Sequence, residues 1–115
     1  MSKTDHGTTF VNVGEEKYEL KFTLKAVKGI EARFGGLAPA FQQLQVLNFA
    51  ATAAVIAIGA GLSTKPKDLE ALEEAIWDAG IGVVVPEVMP YLTAMLNPSA
   101  RSAEEAEPEA EQGNA

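Results

Sequence analysis

The N-terminal part of the chain alternates between apolar and polar residues in two short segments. Residues 8–13 and 17–22 show the period of two that is typical of strands with one buried face. Residues 14–16 between them begin with glycine, which adopts the positive φ that tight turns use. We therefore predict a β-hairpin, and because an isolated hairpin is only marginally stable, its apolar face should pack on other elements. The side chains expected on that face are Tyr18, Leu20 and Phe22 in the second strand, with Phe10 aligned against Val11 and Val13 in the first.

From residue 24 the apolar period lengthens to that of a helix. Thr23 can cap a first helix over 24–34, which should end at Gly35-Gly36. A second helix is predicted over 37–45, with Pro39 near the first turn, where a missing N–H costs least. The residues expected on the buried faces are Leu24, Val27, Ile30 and Phe34 in the first helix, and Phe41 and Leu44 in the second.

A third helix, with Asn48 as its cap, is predicted over 49–60. Its residues are apolar or small on every side, and a helix of that composition is buried all round. Since alanine and glycine dominate, neighbouring elements can approach its axis closely. We expect it to be the central helix of the fold.

Two further helices follow a loop that contains Pro66. The fourth should begin with Asp68 or Ser63 as its cap and end at Gly80. The fifth covers 81–96, and the prolines inside it suggest a kink. The residues predicted on the buried face of the fourth helix are Leu69, Leu72, Ile76 and Trp77, and its outer, solvated face carries Glu70, Glu73, Glu74 and Asp78.

The pattern predicts an α+β fold that is mainly α, with the hairpin packed on a small bundle of four to five short helices. Residues 8–96 form the single domain, residues 1–7 a flexible N-terminus, and residues 97–115 a disordered acidic tail. The net charge is −7, and residues 101–115 contribute −4 of it through one Arg and five Glu, which leaves −3 for residues 1–100. The acidity is therefore mainly a property of the tail.

Composition argues against several classes of function. The chain has no cysteine, and its single histidine, His6, lies in a polar N-terminus without neighbouring ligands. No phosphate-binding loop or nucleophile motif is present, so we expect no catalytic, cofactor-binding or metal-binding residues and no enzyme. The missing basic cluster argues against nucleic-acid binding. The uncharged segment 49–62 is shorter than the roughly 20 residues that cross a bilayer, so we expect no membrane insertion.

Apolar side chains near the end of the predicted domain remain as candidates for partner contacts. Methionine and aromatic residues are common on adaptable binding surfaces, although in most proteins such residues belong to the core. Both interpretations stay open from sequence. The candidate partner-binding residues are Trp77, Val88, Met89, Tyr91, Leu92, Met95 and Leu96.

The order of these features resembles the tail assembly chaperone family of long-tailed phages and gene transfer agents, small proteins encoded between the tail tube and the tape measure. The resemblance lies in the hairpin segment 10–20, followed by residues 23–35, which end in Ile-Glu-Ala-Arg-Phe-Gly. It continues through the alanine-rich segment 50–60 and the helix closing at Ala79-Gly80, and it fades after Leu96.

The resemblance implies a non-catalytic protein that coats the tape measure protein in the host cytoplasm, so that tail tube subunits polymerise around it. It implies absence from the mature virion, with the tail tube protein and self-association as further contacts. A structural tail component, such as a tube or terminator subunit, is the main alternative and would be richer in strands. A membrane-active lysis protein and a small enzyme are weaker alternatives.

Overall fold

A computed structural model describes residues 8–96, and the predicted flexible N-terminus and acidic tail lie outside these residues. The described chain forms an antiparallel hairpin followed by five helices, which confirms the predicted fold class. The elements are β1 (Thr8–Val13), β2 (Glu16–Lys21), α1 (Leu24–Phe34), α2 (Leu37–Gln45), α3 (Phe49–Ala60), α4 (Pro66–Ala79) and α5 (Ile81–Leu96).

The hairpin is tighter than the sequence suggested. Val13 pairs with Glu16, so the loop is only Gly14 and Glu15, and Glu16 already belongs to β2. Phe22 lies just beyond the end of β2. The buried face carries Val11, Val13 and Leu20, with Tyr18 half-buried.

Phe10 corrects the prediction for the hairpin face. It precedes Val11 by one residue and therefore points to the opposite side of the strand, where it is 52% exposed. The ammonium group of Lys17 lies 4.7 Å from the centre of its ring, a cation–π contact on the outer face. The alternation of side chains along a strand makes a shared face for Phe10 and Val11 impossible.

The central position predicted for α3 is confirmed. Eight of its twelve residues are buried, and it packs against the other four helices and against β2. Its one buried polar residue, Thr52, donates a hydrogen bond of 2.7 Å from Oγ1 to the carbonyl of Asn48, so no polar group of that side chain is left without a partner. Gly59 allows α5 to approach, because a Cβ there would lie 2.9 Å from the Tyr91 hydroxyl oxygen.

Two predicted caps are confirmed and one is wrong. Thr23 and Asn48 accept hydrogen bonds from the backbone N–H groups of Ala26 and Ala51. Helix α4 begins at Pro66 after Lys65, which makes no side-chain cap, and neither Ser63 nor Asp68 occupies the cap position. Proline at the first helical position removes one of the N–H groups that a cap would otherwise satisfy.

Leu24 is the one predicted buried residue of α1 that is largely exposed, at 69%. Ile30 is fully buried, Val27 and Phe34 are half-buried, and Ala26 enters the core in place of Leu24. Leu24 is the first residue of its helix and extends beyond the bundle. Helical spacing gives the direction of a side chain but does not show where the neighbouring elements end.

Helix α5 is continuous although Pro86 and Pro90 lie inside it. Each proline removes one N–H and leaves the carbonyl four residues earlier without its helical partner. Both prolines and Gly82 are exposed, so this stripe of the helix faces solvent, where water can satisfy the freed carbonyls. Val84, Val88 and the other buried residues occupy the opposite side.

Two hydrogen bonds join the hairpin to α5. The Tyr91 hydroxyl donates to the Lys21 carbonyl at 2.7 Å, and the backbone N–H of Asn12 donates to Glu87 Oε1 at 2.7 Å. The second bond satisfies a donor on the open edge of a two-stranded sheet. The hairpin is thus attached by hydrogen bonds as well as by its apolar face.

Candidate partner-binding surface

The structure divides the seven predicted partner-binding residues between core and surface. Tyr91, Leu92 and Val88 are fully buried and Met95 is nearly so. These four side chains fill the interface of α5 with the rest of the core, so a partner cannot reach them in the folded chain. For them the core interpretation applies, because the apolar period of α5 marks the side that faces the bundle.

The other three residues have different surroundings. Met89 is half-buried against the core, and Leu96 lies at the end of α5 and is partly exposed. Trp77 is 72% exposed, which corrects its predicted position on the buried face of α4. It follows Ile76, which is fully buried, and adjacent helical residues differ by about 100° around the axis. Of the predicted set, Trp77 is the large aromatic residue that solvent reaches.

Trp77 has an aromatic neighbour on a different helix. Its ring centre lies 5.9 Å from that of Phe49, with the ring planes inclined at 49°. This distance and tilt are favourable for an aromatic pair. Because Phe49 is the first residue of α3, the pair joins the C-terminal half of α4 to the start of α3.

Two more exposed apolar residues lie shortly before Phe49 in the chain, separated from it by Asn48. Val46 is 70% exposed and Leu47 45% exposed in the turn between α2 and α3. Chain connectivity keeps Leu47 within about 8 Å of Phe49, since consecutive Cα atoms are about 3.8 Å apart. We call Val46, Leu47, Phe49 and Trp77 together the Trp77 surface. Sequence analysis missed Val46 and Leu47, although apolar residues in a short connection between helices are a usable signal.

The turn that presents Leu47 is a Schellman motif. The N–H of Leu47 donates to the Leu44 carbonyl at 2.9 Å, and the N–H of Asn48 donates to the Gln43 carbonyl at 3.1 Å. Leu47 holds the left-handed position of this motif with φ 57°, and it is the only residue other than glycine in the described chain with positive φ. Asn48 fixes the turn further by donating from its amide nitrogen to Gln43 Oε1 and by capping α3.

The same motif recurs at the end of α3 with the usual residue. There the N–H of Gly61 donates to Ile58 and the N–H of Leu62 donates to Ala57, and Gly61 has φ 73°. Leucine at the equivalent position clashes with its own backbone, at a cost of roughly 1–2 kcal/mol. Leu47 is therefore a strained residue whose side chain is nearly half exposed.

The charges nearest to Trp77 along α4 are negative. Helices α2 and α3 contain no charged residue. On α4, Glu73 and Glu74 lie one turn before Trp77 and Asp78 follows it directly. The one basic residue of α4, Lys67, lies ten positions earlier, about 15 Å along the axis. An acidic rim thus borders an apolar centre.

The far end of α3 offers a different environment. A cleft of about 550 Å³ is lined by Lys25 and Ala26 of α1 and by the segment 58–62. The first turn of α1, with exposed Leu24, therefore lies beside the C-terminal end of α3. That end is about 18 Å from Phe49, because α3 has twelve residues with a rise of 1.5 Å each.

Within residues 8–96 there is neither a single helix that could span a membrane nor a cluster of metal ligands. No single helix there has both the length and the apolar composition to cross a bilayer. Helices α4 and α5 taken together are long and apolar enough to cross a bilayer, but the chain bends by 116° between them. This part of the chain also holds no group of three or more His, Asp or Glu side chains placed to bind a metal ion.

Two tyrosines have altered acidity. Burial raises the pKa of the Tyr91 phenol well above its ordinary value. Burial and the carboxylate of Glu16 both raise the pKa of Tyr18. In Tyr91 the protonated hydroxyl is the donor that holds the hairpin on α5.

Comparison of the chain with protein-family models, with curated proteins and with solved structures finds no match.

Proposed function

We propose that this protein is a phage tail assembly chaperone, which binds and solubilises the tape measure protein and promotes tail tube polymerisation without catalysis. The observation that supports this most is the Trp77 surface, where a tryptophan paired with Phe49 stays exposed on a rigid helical scaffold. Exposed aromatic residues are the usual anchors of protein interfaces. The order of hairpin, α1 ending at Gly35 and alanine-rich α3 agrees with the family resemblance.

The physical role follows from the properties of a long helical protein before the tail tube encloses it. Such a protein exposes apolar stripes that aggregate in water. A small protein that covers one stretch of stripe contributes little affinity by itself, but many copies along one tape measure act together. Displacement by tube subunits then proceeds copy by copy.

Co-expression with the tape measure protein encoded beside it tests the proposal. We expect the tape measure protein to become soluble and to co-elute with this chain. Substitution Trp77→Ala should weaken the complex at least tenfold, whereas Leu24→Ala, at another exposed apolar residue, should not. An insoluble tape measure protein, together with this chain in finished particles, would instead support a structural tail component and refute the proposal.

A further inference from the structure

The strain at Leu47 needs a physical reason. Glycine at the same position of the same motif, as at Gly61, avoids the clash. Leu47 is 45% exposed, so only part of its side chain contributes to the core. Strained residues persist where the surrounding structure imposes them and are concentrated at binding sites. A partly exposed leucine two positions before Phe49, the aromatic partner of exposed Trp77, is suited to contact another molecule.

The backbone around the Trp77 surface restricts the kind of partner. The surface consists of α4, the end of α2 and the start of α3, whose backbone groups are hydrogen-bonded within helices and caps. The four residues of the surface lie on α3, on α4 and in the turn after α2, and none of them belongs to a strand. An extended partner would leave its own N–H and C=O groups unpaired against apolar side chains, whereas a helix satisfies them internally.

The charges restrict the partner further. Glu73, Glu74 and Asp78 lie within about one turn of Trp77 on α4, and α2 and α3 carry no charge. Lysine or arginine next to an apolar stripe would complement this rim, and acidic residues would be repelled. A second copy of this chain is disfavoured as the occupant by the net charge of −7, and so is the segment 101–115 with its five Glu.

We propose that the Trp77 surface binds an amphipathic α-helix whose apolar stripe is flanked by Lys or Arg, with strained Leu47 and Trp77 as the two anchors. This deepens the proposed function and rests on it for the statement that the partner is a protein. The hydrogen bonds of the turn hold the backbone of Leu47 in this conformation before binding, so that backbone loses little conformational freedom on contact.

The intrinsic fluorescence of Trp77 provides the test, since it is the only tryptophan of the chain. The probe is a synthetic peptide of about 18 residues, with leucine at helical spacing and lysine elsewhere, long enough to form a helix on binding. Titration into the full-length chain should shift the Trp77 emission to the blue. A peptide with glutamate in place of lysine should bind at least tenfold more weakly. A scrambled leucine–lysine peptide should bind similarly weakly.

Matched variants distinguish binding of the peptide at the Trp77 surface from nonspecific attraction between an acidic protein and a basic peptide. Leu47→Gly keeps the turn and removes the anchor, so it should weaken binding of the leucine–lysine peptide about tenfold or more, with a cooperative thermal transition retained. Leu24→Ala should leave the affinity unchanged. Equal affinity of Leu47→Gly and the unmodified chain would overturn the proposal, as would equal binding of the glutamate peptide.

Coverage of the Trp77 surface by the chain itself or by a second copy would be visible in the fluorescence of the protein without peptide. Shielding of Trp77 from a soluble quencher in dilute protein would show that the chain covers its own surface. A blue shift that grows with protein concentration would show self-association. Either result overturns the choice of partner. Binding of the leucine–lysine peptide without binding of the tape measure protein would refute the proposed function alone. Unchanged tape measure binding by Leu47→Gly would refute the role of this surface alone.

Discussion

Leu47 and Gly61 occupy equivalent positions in two Schellman motifs. Because the backbone conformation is the same, the two positions differ only in the side chain and in the strain that its Cβ causes. Both residues have positive φ and both motifs have the same pair of hydrogen bonds. Only Leu47 has a Cβ that clashes in this conformation. At this position backbone strain alone would favour glycine.

Opposite substitutions at these two positions should have unequal effects on stability. Gly61→Ala should destabilise the fold by about 1–2 kcal/mol, because it introduces the left-handed penalty. Leu47→Gly should change stability by less than about 1 kcal/mol, because relief of strain offsets the loss of a half-buried side chain worth roughly 1–1.5 kcal/mol. Urea denaturation of both variants measures the difference. A loss above about 2 kcal/mol in Leu47→Gly would mean that Leu47 is primarily a packing residue.

At the scale of elements, α5 is the helix whose sequence conflicts most with its conformation. Its two internal prolines cost helix stability, yet the helix is continuous from Ile81 to Leu96. Burial of its opposite face outweighs the missing backbone bonds. Tertiary packing here overrides the local preference of proline against helix. From the sequence alone, the two prolines predicted only a kink.

Pro90→Ala should stabilise the protein by about 1–3 kcal/mol. The new N–H can donate to the Pro86 carbonyl, and the exposed ring of Pro90 leaves no cavity when it is removed. The melting temperature should rise by roughly 4–8 °C per kcal/mol for a domain of this size. Pro66→Ala is the control, since proline at the first turn of α4 blocks no helical bond, and it should change stability little. A lower melting temperature for Pro90→Ala would contradict this account.

At the scale of the whole molecule, attachment of the hairpin to the helices depends on α5. The hydroxyl end of the Tyr91 ring packs closely on Gly59 of α3, and the hydroxyl donates to the Lys21 carbonyl. One side chain thus joins the core helix, the last helix and the end of the hairpin. Its hydrogen bond is the polar part of an otherwise apolar junction.

Tyr91→Phe should destabilise the fold by about 1 kcal/mol, the usual net value of one hydrogen bond. The Lys21 carbonyl keeps a second donor, the N–H of Thr23 at 3.2 Å, so the loss should not be larger. Hydrogen exchange should show faster opening of the hairpin in this variant. An unchanged exchange rate would argue that the apolar face alone holds the hairpin.

The raised pKa of Tyr91 predicts alkaline destabilisation. Below the unfolded value near 10, the phenol is protonated in both states and stability does not depend on its titration. Above that value the unfolded state ionises first, because the folded pKa is higher, and stability falls as pH rises. Denaturation at increasing pH should therefore show a smaller fall for Tyr91→Phe than for the unmodified chain. The same pH series for Tyr18→Phe measures how much of the fall in stability comes from Tyr18, because the pKa of Tyr18 is also raised.

Local patterns in the sequence determined the kind and order of the elements. Apolar alternation gave the two strands, helical spacing and caps at Thr23 and Asn48 gave α1 and α3, and all-round apolarity placed α3 at the centre. These features depend on residues close together in the chain, where backbone geometry fixes the relation between spacing and direction. The sequence was therefore sufficient for the fold class.

Only the tertiary structure decided which apolar residues stay accessible. Trp77 and Tyr91 were both predicted as partner-binding residues, yet Trp77 is exposed and Tyr91 is buried. Their exposure depends on where other elements pass, which is a long-range property that spacing does not encode. The positive φ of Leu47 is likewise set by the turn between two packed helices. Packing therefore decides which residues form the Trp77 surface, although the sequence contains each of them.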